Sequence, residues 1–265
     1  MCLVVSEPSV KGCLRVIDRF EPVAHSFEIN LPQLDPALIG DIFHSTPRPC
    51  IATYRRSDFM TVYGYTKLPM VSDKSRADAL KRAVALGASA ADFELDMFQP
   101  EQAVEARRRA TGGQVRAGPR GRPVEFSTDR GAVRMQSDLA SEIRDAGAEV
   151  VMSCHTQSVL READALELVH AVAGRGGQFA KLVSQTPRKE DVFELLACAF
   201  SLNRKALIPF TLMNVGPESA SQRLLSVLAG SSWVYCRTPS RHSYRGQPTF
   251  EDTKSFIESL GLREL

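Results

Sequence analysis

The chain has 265 residues, with 33 basic and 31 acidic side chains and a formal net charge of +2. Its hydrophobic fraction of 43% and charged fraction of 24% are those of an ordinary globular protein, which excludes a disordered chain, a collagen and a coiled-coil rod. The small net charge argues against a dedicated nucleic-acid-binding domain.

The sequence also bears on cellular setting. It contains no apolar run of about 18 residues, so we expect no membrane span. The first residues lack a basic stretch followed by a long apolar one, so we expect no signal peptide. None of the six cysteines forms a CxxC pair, and free thiols are typical of a reducing compartment. These features predict a cytoplasmic protein.

Short apolar runs rich in β-branched residues alternate along the chain with amphipathic segments. The apolar runs predict eight strands, at residues 2–6, 26–31, 49–54, 91–95, 149–154, 180–184, 207–213 and 232–236. Recognisable start and stop residues predict helices between them, at residues 75–86, 137–146, 161–173, 217–229 and 249–260.

This alternation of strands and helices is typical of a parallel sheet. Near-continuous apolar strands indicate a sheet that is covered on both faces. Eight such units predict an α/β fold, a single (β/α)8 TIM barrel over residues 1–265, with a doubly wound open sheet as the alternative. In a barrel the active site lies at the carboxyl ends of the strands, so polar residues there are the candidates.

Two residues in or after predicted strands could carry covalent and proton-transfer chemistry. Lys181 lies within the apolar run FAKLVS, where burial would lower the pKa of its amine and allow attack on a carbonyl. The alternative is an edge lysine whose amine reaches solvent. His155 follows the run EVVMSC, and an imidazole there could transfer protons near neutral pH. A hydrogen-bonded structural histidine explains the same pattern equally well.

Other polar residues would lie at the same mouth of the barrel. Arg55 follows the third predicted strand and Arg223 lies after the seventh, where an arginine could grip a carboxylate or form a surface salt bridge. The loop 243–247 contains a glycine that allows close backbone approach to a ligand. Glu28 lies within the second strand, and an inward carboxylate there needs a partner.

The histidines and cysteines share no metal-ligand spacing, so the sequence predicts no metal site, and we expect no cofactor. One lysine, one histidine, two arginines and a polar loop at one end of a barrel suit imine chemistry on a small keto acid.

Four segments, in order, resemble the type I 3-dehydroquinate dehydratase family. They are VVMSCHT (150–156), FAKLVSQTPRKEDVFELL (179–196), VGPESASQR (215–223) and SYRGQ (243–247). The resemblance spans nearly the whole chain. It implies a TIM-barrel lyase of the shikimate or quinate pathway that dehydrates 3-dehydroquinate to 3-dehydroshikimate. It also implies a small cyclic keto acid as the only partner besides a second copy of the chain in a homodimer.

The resemblance assigns the chemical steps to two residues. Lys181 would form an imine with the substrate ketone. His155 would remove the proton next to the imine carbon, then assist loss of the hydroxyl as water and hydrolysis of the imine. The physical logic agrees, because a protonated imine is an electron sink that acidifies the adjacent carbon.

The resemblance also implies a set of substrate-binding residues. Arg223 and Gln247 would hold the carboxylate, and Ser243 would lie in a loop that closes over the substrate. The side chains that would contact ring hydroxyls or order the pocket are Arg55, Glu28 and Ser6.

Two positions depart from the family pattern. Asn30 stands where the family has an arginine on the second strand. Phe59 stands where the family has a glutamate that supports the histidine, so either neighbouring Asp58 replaces it or the histidine lacks an orienting partner. These changes leave two alternative functions open. One is a non-catalytic metabolite-binding or regulatory homologue, and the other is a paralogous imine-forming lyase for another cyclic keto acid.

A third departure is an insertion, around residues 99–136, after the fourth predicted strand. It includes residues 107–122, which contain six arginines and no acidic residue. One interpretation is a solvated excursion. The other is a flap at the barrel mouth that supplies an arginine in place of the cation missing at Asn30.

Overall fold

The computed structural model describes residues 1–56, 71–100, 125–156, 159–216, 218–239 and 243–261. Eight strands and eight helices alternate along these residues. The strands are β1 (Cys2–Val5), β2 (Ser26–Asn30), β3 (Cys50–Thr53), β4 (Ala90–Glu94), β5 (Glu149–His155), β6 (Phe179–Gln185), β7 (Phe210–Val215) and β8 (Tyr235–Arg237). The helices are α1 (Val10–Phe20), α2 (Ile39–His44), α3 (Asp73–Ala85), α4 (Arg130–Asp145), α5 (Glu162–Gly174), α6 (Glu190–Lys205), α7 (Ser219–Leu228) and α8 (Phe250–Ser259).

The strands form one parallel sheet in the order β7-β6-β5-β4-β3-β2-β1-β8. The sheet curls back on itself, because the residues that lead into β8 bond to β7. Ser232 N donates to the Phe210 carbonyl at 2.8 Å, and the Thr211 hydroxyl donates to the Trp233 carbonyl at 3.1 Å. This order confirms the TIM barrel. The doubly wound alternative is wrong, because in such a sheet the order of the strands would reverse at an internal strand.

Alternation along the strands divides the core into two layers, since residues i and i+2 of a strand share a face. One apolar cluster lies inside the barrel and includes Val4, Ile51, Val151, Phe179, Val183, Met213 and Tyr235. A larger cluster packs the outer face of the strands against the helices. The rings of Phe179 and Trp233 stack at 3.6 Å inside the barrel. These rings fill the barrel on the amino-terminal side of the site residues.

Most element types are as predicted, but several boundaries differ. Helix α4 begins at Arg130, capped by Asp129, whose carboxylate accepts from the Ala132 amide at 2.8 Å. Ser137, the predicted first residue of this helix, instead lies within it and donates to the Val133 carbonyl. Thr249, where the last helix was predicted to begin, caps α8 by accepting from the Asp252 amide.

Further differences concern whole elements. Helices α1, α2 and α6 have no counterpart among the helices predicted from start and stop residues. Strand β7 begins at Phe210, three residues later than predicted, and it directly follows Pro209, which cannot donate to a ladder.

All six cysteines are free and buried, and burial raises the pKa of Cys50 and Cys13 to about 12. The predicted free thiols are therefore present and protonated.

In the described parts of the chain, no helix is long and apolar enough to cross a bilayer.

Candidate active site

A cavity lies at the carboxyl ends of the strands. Six of the eight predicted site residues line it: Lys181, His155, Arg223, Gln247, Arg55 and Glu28. Asn30, Tyr235 and Tyr244 line it as well. Strand alternation explains this convergence, because Lys181 shares the inner face of β6 with two core residues and His155 ends the inner face of β5.

The other two predicted residues, Ser6 and Ser243, are not among those that line the cavity. The Ser6 hydroxyl accepts from the Asn30 amide at 2.6 Å, so Ser6 adjoins a cavity-lining residue. The Ser243 hydroxyl is buried, 3.1 Å from the Thr238 hydroxyl.

Lys181 is enclosed by two carboxylates and an aromatic ring. Its Nζ donates to Glu28 Oε2 at 2.5 Å and to Asp92 Oδ2 at 2.8 Å. The nitrogen also lies 4.4 Å from the centroid of the Tyr235 ring, which is within cation–π range. Lys181 is 5% exposed, so the edge-lysine alternative is wrong.

The predicted lowering of the Lys181 pKa is also wrong. Burial lowers the pKa of Lys181, but the negative charges of Asp92 and Glu28 outweigh burial and raise it above its ordinary value. The amine is therefore an ammonium ion at pH 7. Any attack on a carbonyl must begin with transfer of its proton to another group.

Asp92 is a site residue that the sequence analysis missed. It lies on β4, fully buried, where burial acts to raise the pKa of its carboxyl but Lys181 and Arg55 hold that pKa below its ordinary value. The available signal was an acidic residue within an apolar strand, which is the same signal that identified Glu28.

His155 is held by a third buried carboxylate, that of Glu125. Glu125 Oε2 lies 2.7 Å from His155 Nδ1 and accepts from the His155 backbone amide at 2.8 Å. Burial and the charge of Arg55 lower the pKa of His155 to about 4, while Glu125 acts to raise it. The imidazole is therefore neutral at pH 7, so it can accept a proton.

Arg55 braces this part of the cavity. It donates to Ser153 Oγ at 2.8 Å and to the two Glu125 oxygens at 3.2 and 3.3 Å. Its Nη2 lies 2.6 Å from His155 Nδ1. These contacts agree with a residue that orders the pocket.

Glu125 supplies the orienting partner that the departure at Phe59 left open. Asp58 and Phe59 lie outside the described residues, as does the arginine-rich segment 107–122. The sequence analysis did not identify Glu125. The only available signal was that it is the first acidic residue after the arginine-rich segment.

Arg223 and Gln247 are the cavity residues suited to a substrate carboxylate. The Arg223 guanidinium donates to the Asn214 carbonyl at 3.0 Å and lies 6.0 Å from the Tyr244 ring centroid. Gln247 Oε1 is buried and has no hydrogen-bond partner among the described residues. An anionic ligand group in this region would meet the buried Arg223 cation, and the NH2 group of the Gln247 amide, not Oε1, is the part of that side chain that can donate to it.

The family model described as type I 3-dehydroquinase matches residues 124–264, which is more than half of the chain. The matched part includes Glu125, His155, Lys181 and the loop that carries Gln247. It excludes the first four strands. The comparison with curated protein sequences returns no match.

Solved structures of three dehydratases share the fold. The type I 3-dehydroquinate dehydratase of Clostridium difficile, solved with covalent modified comenic acid, is 14% identical, with 98% of this chain and 91% of that chain covered and a TM-score of 0.74. The 3-dehydroquinate dehydratase of Geobacillus kaustophilus is 16% identical, with 100% and 91% covered and a TM-score of 0.74. The enzyme of Enterococcus faecalis is 14% identical, with 100% and 93% covered and a TM-score of 0.68.

Proposed function

The chain belongs to the type I 3-dehydroquinase family, and we propose that it dehydrates 3-dehydroquinate to 3-dehydroshikimate through an imine on Lys181. One observation carries the proposal. A single cavity holds a buried lysine, a neutral histidine bound to a carboxylate, and a buried arginine suited to a substrate acid. Imine formation, proton transfer and carboxylate binding require these three groups.

The first step is formation of the imine. Lys181 Nζ passes a proton to Glu28 or Asp92, each of which already accepts a hydrogen bond from it. The neutral amine then adds to the ketone carbon, and a proton moves from the amine nitrogen to the ketone oxygen to give a neutral carbinolamine. The carboxylic acid formed in the first transfer returns its proton to the carbinolamine hydroxyl, which leaves as water to give a protonated imine. That cation has the same charge as the original ammonium, so the carboxylate beside it stabilises it in the same way.

The second step is the elimination. His155 takes the proton from the carbon next to the imine carbon, and the electron pair moves onto the imine nitrogen to give an enamine. The enamine expels the hydroxyl of the next carbon, which the imidazolium protonates so that it leaves as water. Water then hydrolyses the conjugated imine, releasing the enone acid and the lysine. Glu125 stabilises the imidazolium that forms between these transfers.

Binding of the substrate acid falls to Arg223 and Gln247. A guanidinium and an amide that hold the carboxylate fix the ring relative to Lys181 and His155. Binding energy from this remote group thereby orients the reacting carbon.

One observation favours a second candidate, an imine-forming lyase for a different cyclic keto acid. Asn30 lines the cavity as a neutral amide bonded to Ser6, where the family pattern places a cation. A substrate with a different group at this wall would use the same lysine and histidine.

The test is an absorbance assay for the conjugated enone acid with 3-dehydroquinate as substrate. We expect turnover by the wild type, loss of turnover in Lys181→Ala, and full turnover in the surface control Lys81→Ala. Equal activity of the wild type and Lys181→Ala would contradict the mechanism. Absence of wild-type turnover, with binding seen by thermal shift, would favour a binding homologue, and turnover of another keto acid alone would favour the second candidate.

A further inference from the structure

We infer that Glu125 is a positioning residue that selects the His155 tautomer with its proton on Nδ1. Hydrogen bonds that join residues 125–127 to Arg175 and Leu95, here called the clamp, hold Glu125 beside the histidine. The catalytic consequence of this inference rests on the proposed function. The tautomer itself does not, because it is a property of the substrate-free protein.

Glu125 binds His155 at two points. One carboxylate oxygen contacts both the backbone amide, at 2.8 Å, and ring nitrogen Nδ1, at 2.7 Å. Glu125 is fully buried, so water does not compete for these contacts. The two contacts together restrict the position of the backbone and the rotation of the ring.

Arg55 competes for the same ring nitrogen, since its Nη2 lies 2.6 Å from His155 Nδ1. Nδ1 has one position in the ring plane, which holds either a proton or a lone pair. A guanidinium can only donate and a carboxylate can only accept. Only one of the two neighbours can therefore be satisfied by the nitrogen, and the choice fixes the tautomer.

The geometry decides in favour of Glu125. Burial acts against its ionisation, but Arg55 and His155 hold the pKa of Glu125 well below its ordinary value, so it remains a carboxylate. Arg55 has other acceptors in Ser153 and in Glu125 itself. With the proton on Nδ1, these donors all have acceptors, whereas a lone pair on Nδ1 would face a carboxylate oxygen at 2.7 Å. Nε2 then carries the lone pair and is the base.

Glu125 lies in the connection between β4 and α4, not on a barrel strand. Arg175 donates to the Ser127 carbonyl at 2.7 Å and to the Leu95 carbonyl at 2.9 Å, and its guanidinium lies 5.0 Å from the Phe126 ring centroid. The Ser127 amide also donates to the Leu95 carbonyl at 3.1 Å. These contacts fasten residues 125–127 to the end of β4, beside His155.

The experiment is ¹⁵N NMR of the His155 ring in the substrate-free protein at pH 7, in the wild type and in Glu125→Met, a variant without an acceptor. We expect a protonated Nδ1 in the wild type and a protonated Nε2 in the variant, where Arg55 becomes the neighbour of Nδ1. The control is Asp96→Asn, which removes a buried carboxylate bound to Arg56 and should keep the wild-type tautomer.

Turnover gives the second readout. Glu125→Met should lower kcat by about 10²–10⁴-fold, the usual contribution of a general base, with little change in KM. A wild-type protein with its proton on Nε2, or a variant that keeps it on Nδ1, would overturn the inference. If the variant does not fold, the wild-type spectrum alone decides. Because the spectra need no substrate, failure of the proposed function leaves this test intact.

Discussion

Lys181 is a buried ammonium ion, and this sets the chemistry of the site. Burial favours the neutral amine, but two carboxylates within 2.8 Å favour the charged form and prevail. The site is therefore built around a positive charge on this nitrogen. A protonated imine preserves that charge, so the same carboxylates stabilise both the resting state and the intermediate.

This arrangement predicts the effect of Asp92→Asn. Loss of one carboxylate should lower the pKa of Lys181, because one of the two charges that raise it is gone. The measurement is the pH dependence of carbamoylation of Lys181 by cyanate, followed by peptide mass spectrometry, with exposed Lys74 as the internal reference. Reaction at Lys181 should extend to lower pH in the variant. An identical pH dependence in both proteins would show that Asp92 does not set the charge.

His155 predicts the acid limit of activity. Because burial and Arg55 lower its pKa to about 4, the imidazole stays neutral well below the ordinary histidine range. The measurement is the pH dependence of kcat/KM, which reports ionisations of the free enzyme. We expect the acid limb near pH 4. An acid limb near the ordinary value of about 6.5 would be inconsistent with a buried, arginine-contacted histidine.

At the scale of residues, the sequence analysis predicted the site residues that lie in recognisable motifs. It missed those whose role depends on a contact with a distant part of the chain. Lys181 and His155 follow from strand position and local pattern. Glu125 does not, since it meets His155 across 30 residues of chain. The wrong direction predicted for the Lys181 pKa has the same origin, because burial can be inferred from a strand pattern but the approach of Asp92 cannot.

At the scale of elements, the connection between β4 and α4 carries a functional group. Residues 125–127 place Glu125 at the site, and Arg175 and Gln136 bind the backbone around them. The sequence predicted a long insertion here and placed the helix start at Ser137. Asp129 caps the helix instead, and nothing in the local pattern distinguished the two caps.

The hydrogen bonds from Arg175 that hold residues 125–127 predict how Arg175→Met changes stability and activity. The buried Ser127 carbonyl would lose its donor, which should cost about 1–3 kcal/mol of unfolding free energy. Glu125 would also be held less firmly, so kcat should fall while KM changes little. Urea unfolding and steady-state kinetics measure the two effects. Wild-type stability together with wild-type kcat would show that the clamp is dispensable.

At the scale of the whole molecule, the barrel brings together charged side chains that are far apart in the sequence. Glu28, Asp92 and Lys181 come from three different strands and meet in the interior. The alternation of strands and helices predicted this architecture with a doubly wound sheet as the alternative, and the strand order decides between the two. The homodimer implied by the resemblance stays a prediction, which sedimentation equilibrium can test.

Stability should depend on pH through His155. Its pKa is about 4 in the folded protein, against an ordinary value of about 6.5 in the unfolded chain. Between these values the unfolded chain binds more protons, so the free energy of unfolding rises with pH. The full shift corresponds to roughly 3 kcal/mol. The measurement is urea unfolding from pH 4 to 7 for the wild type and His155→Gln. The variant should show a shallower dependence, and equal slopes would exclude His155 as the cause.

The most direct test of the central claim is borohydride reduction in the presence of 3-dehydroquinate. Reduction of an imine leaves a stable secondary amine, so the peptide that contains Lys181 should gain the mass of the reduced adduct. No adduct should form without substrate or in Lys181→Ala. An adduct on another lysine, or rapid turnover with no adduct at all, would contradict an imine at Lys181.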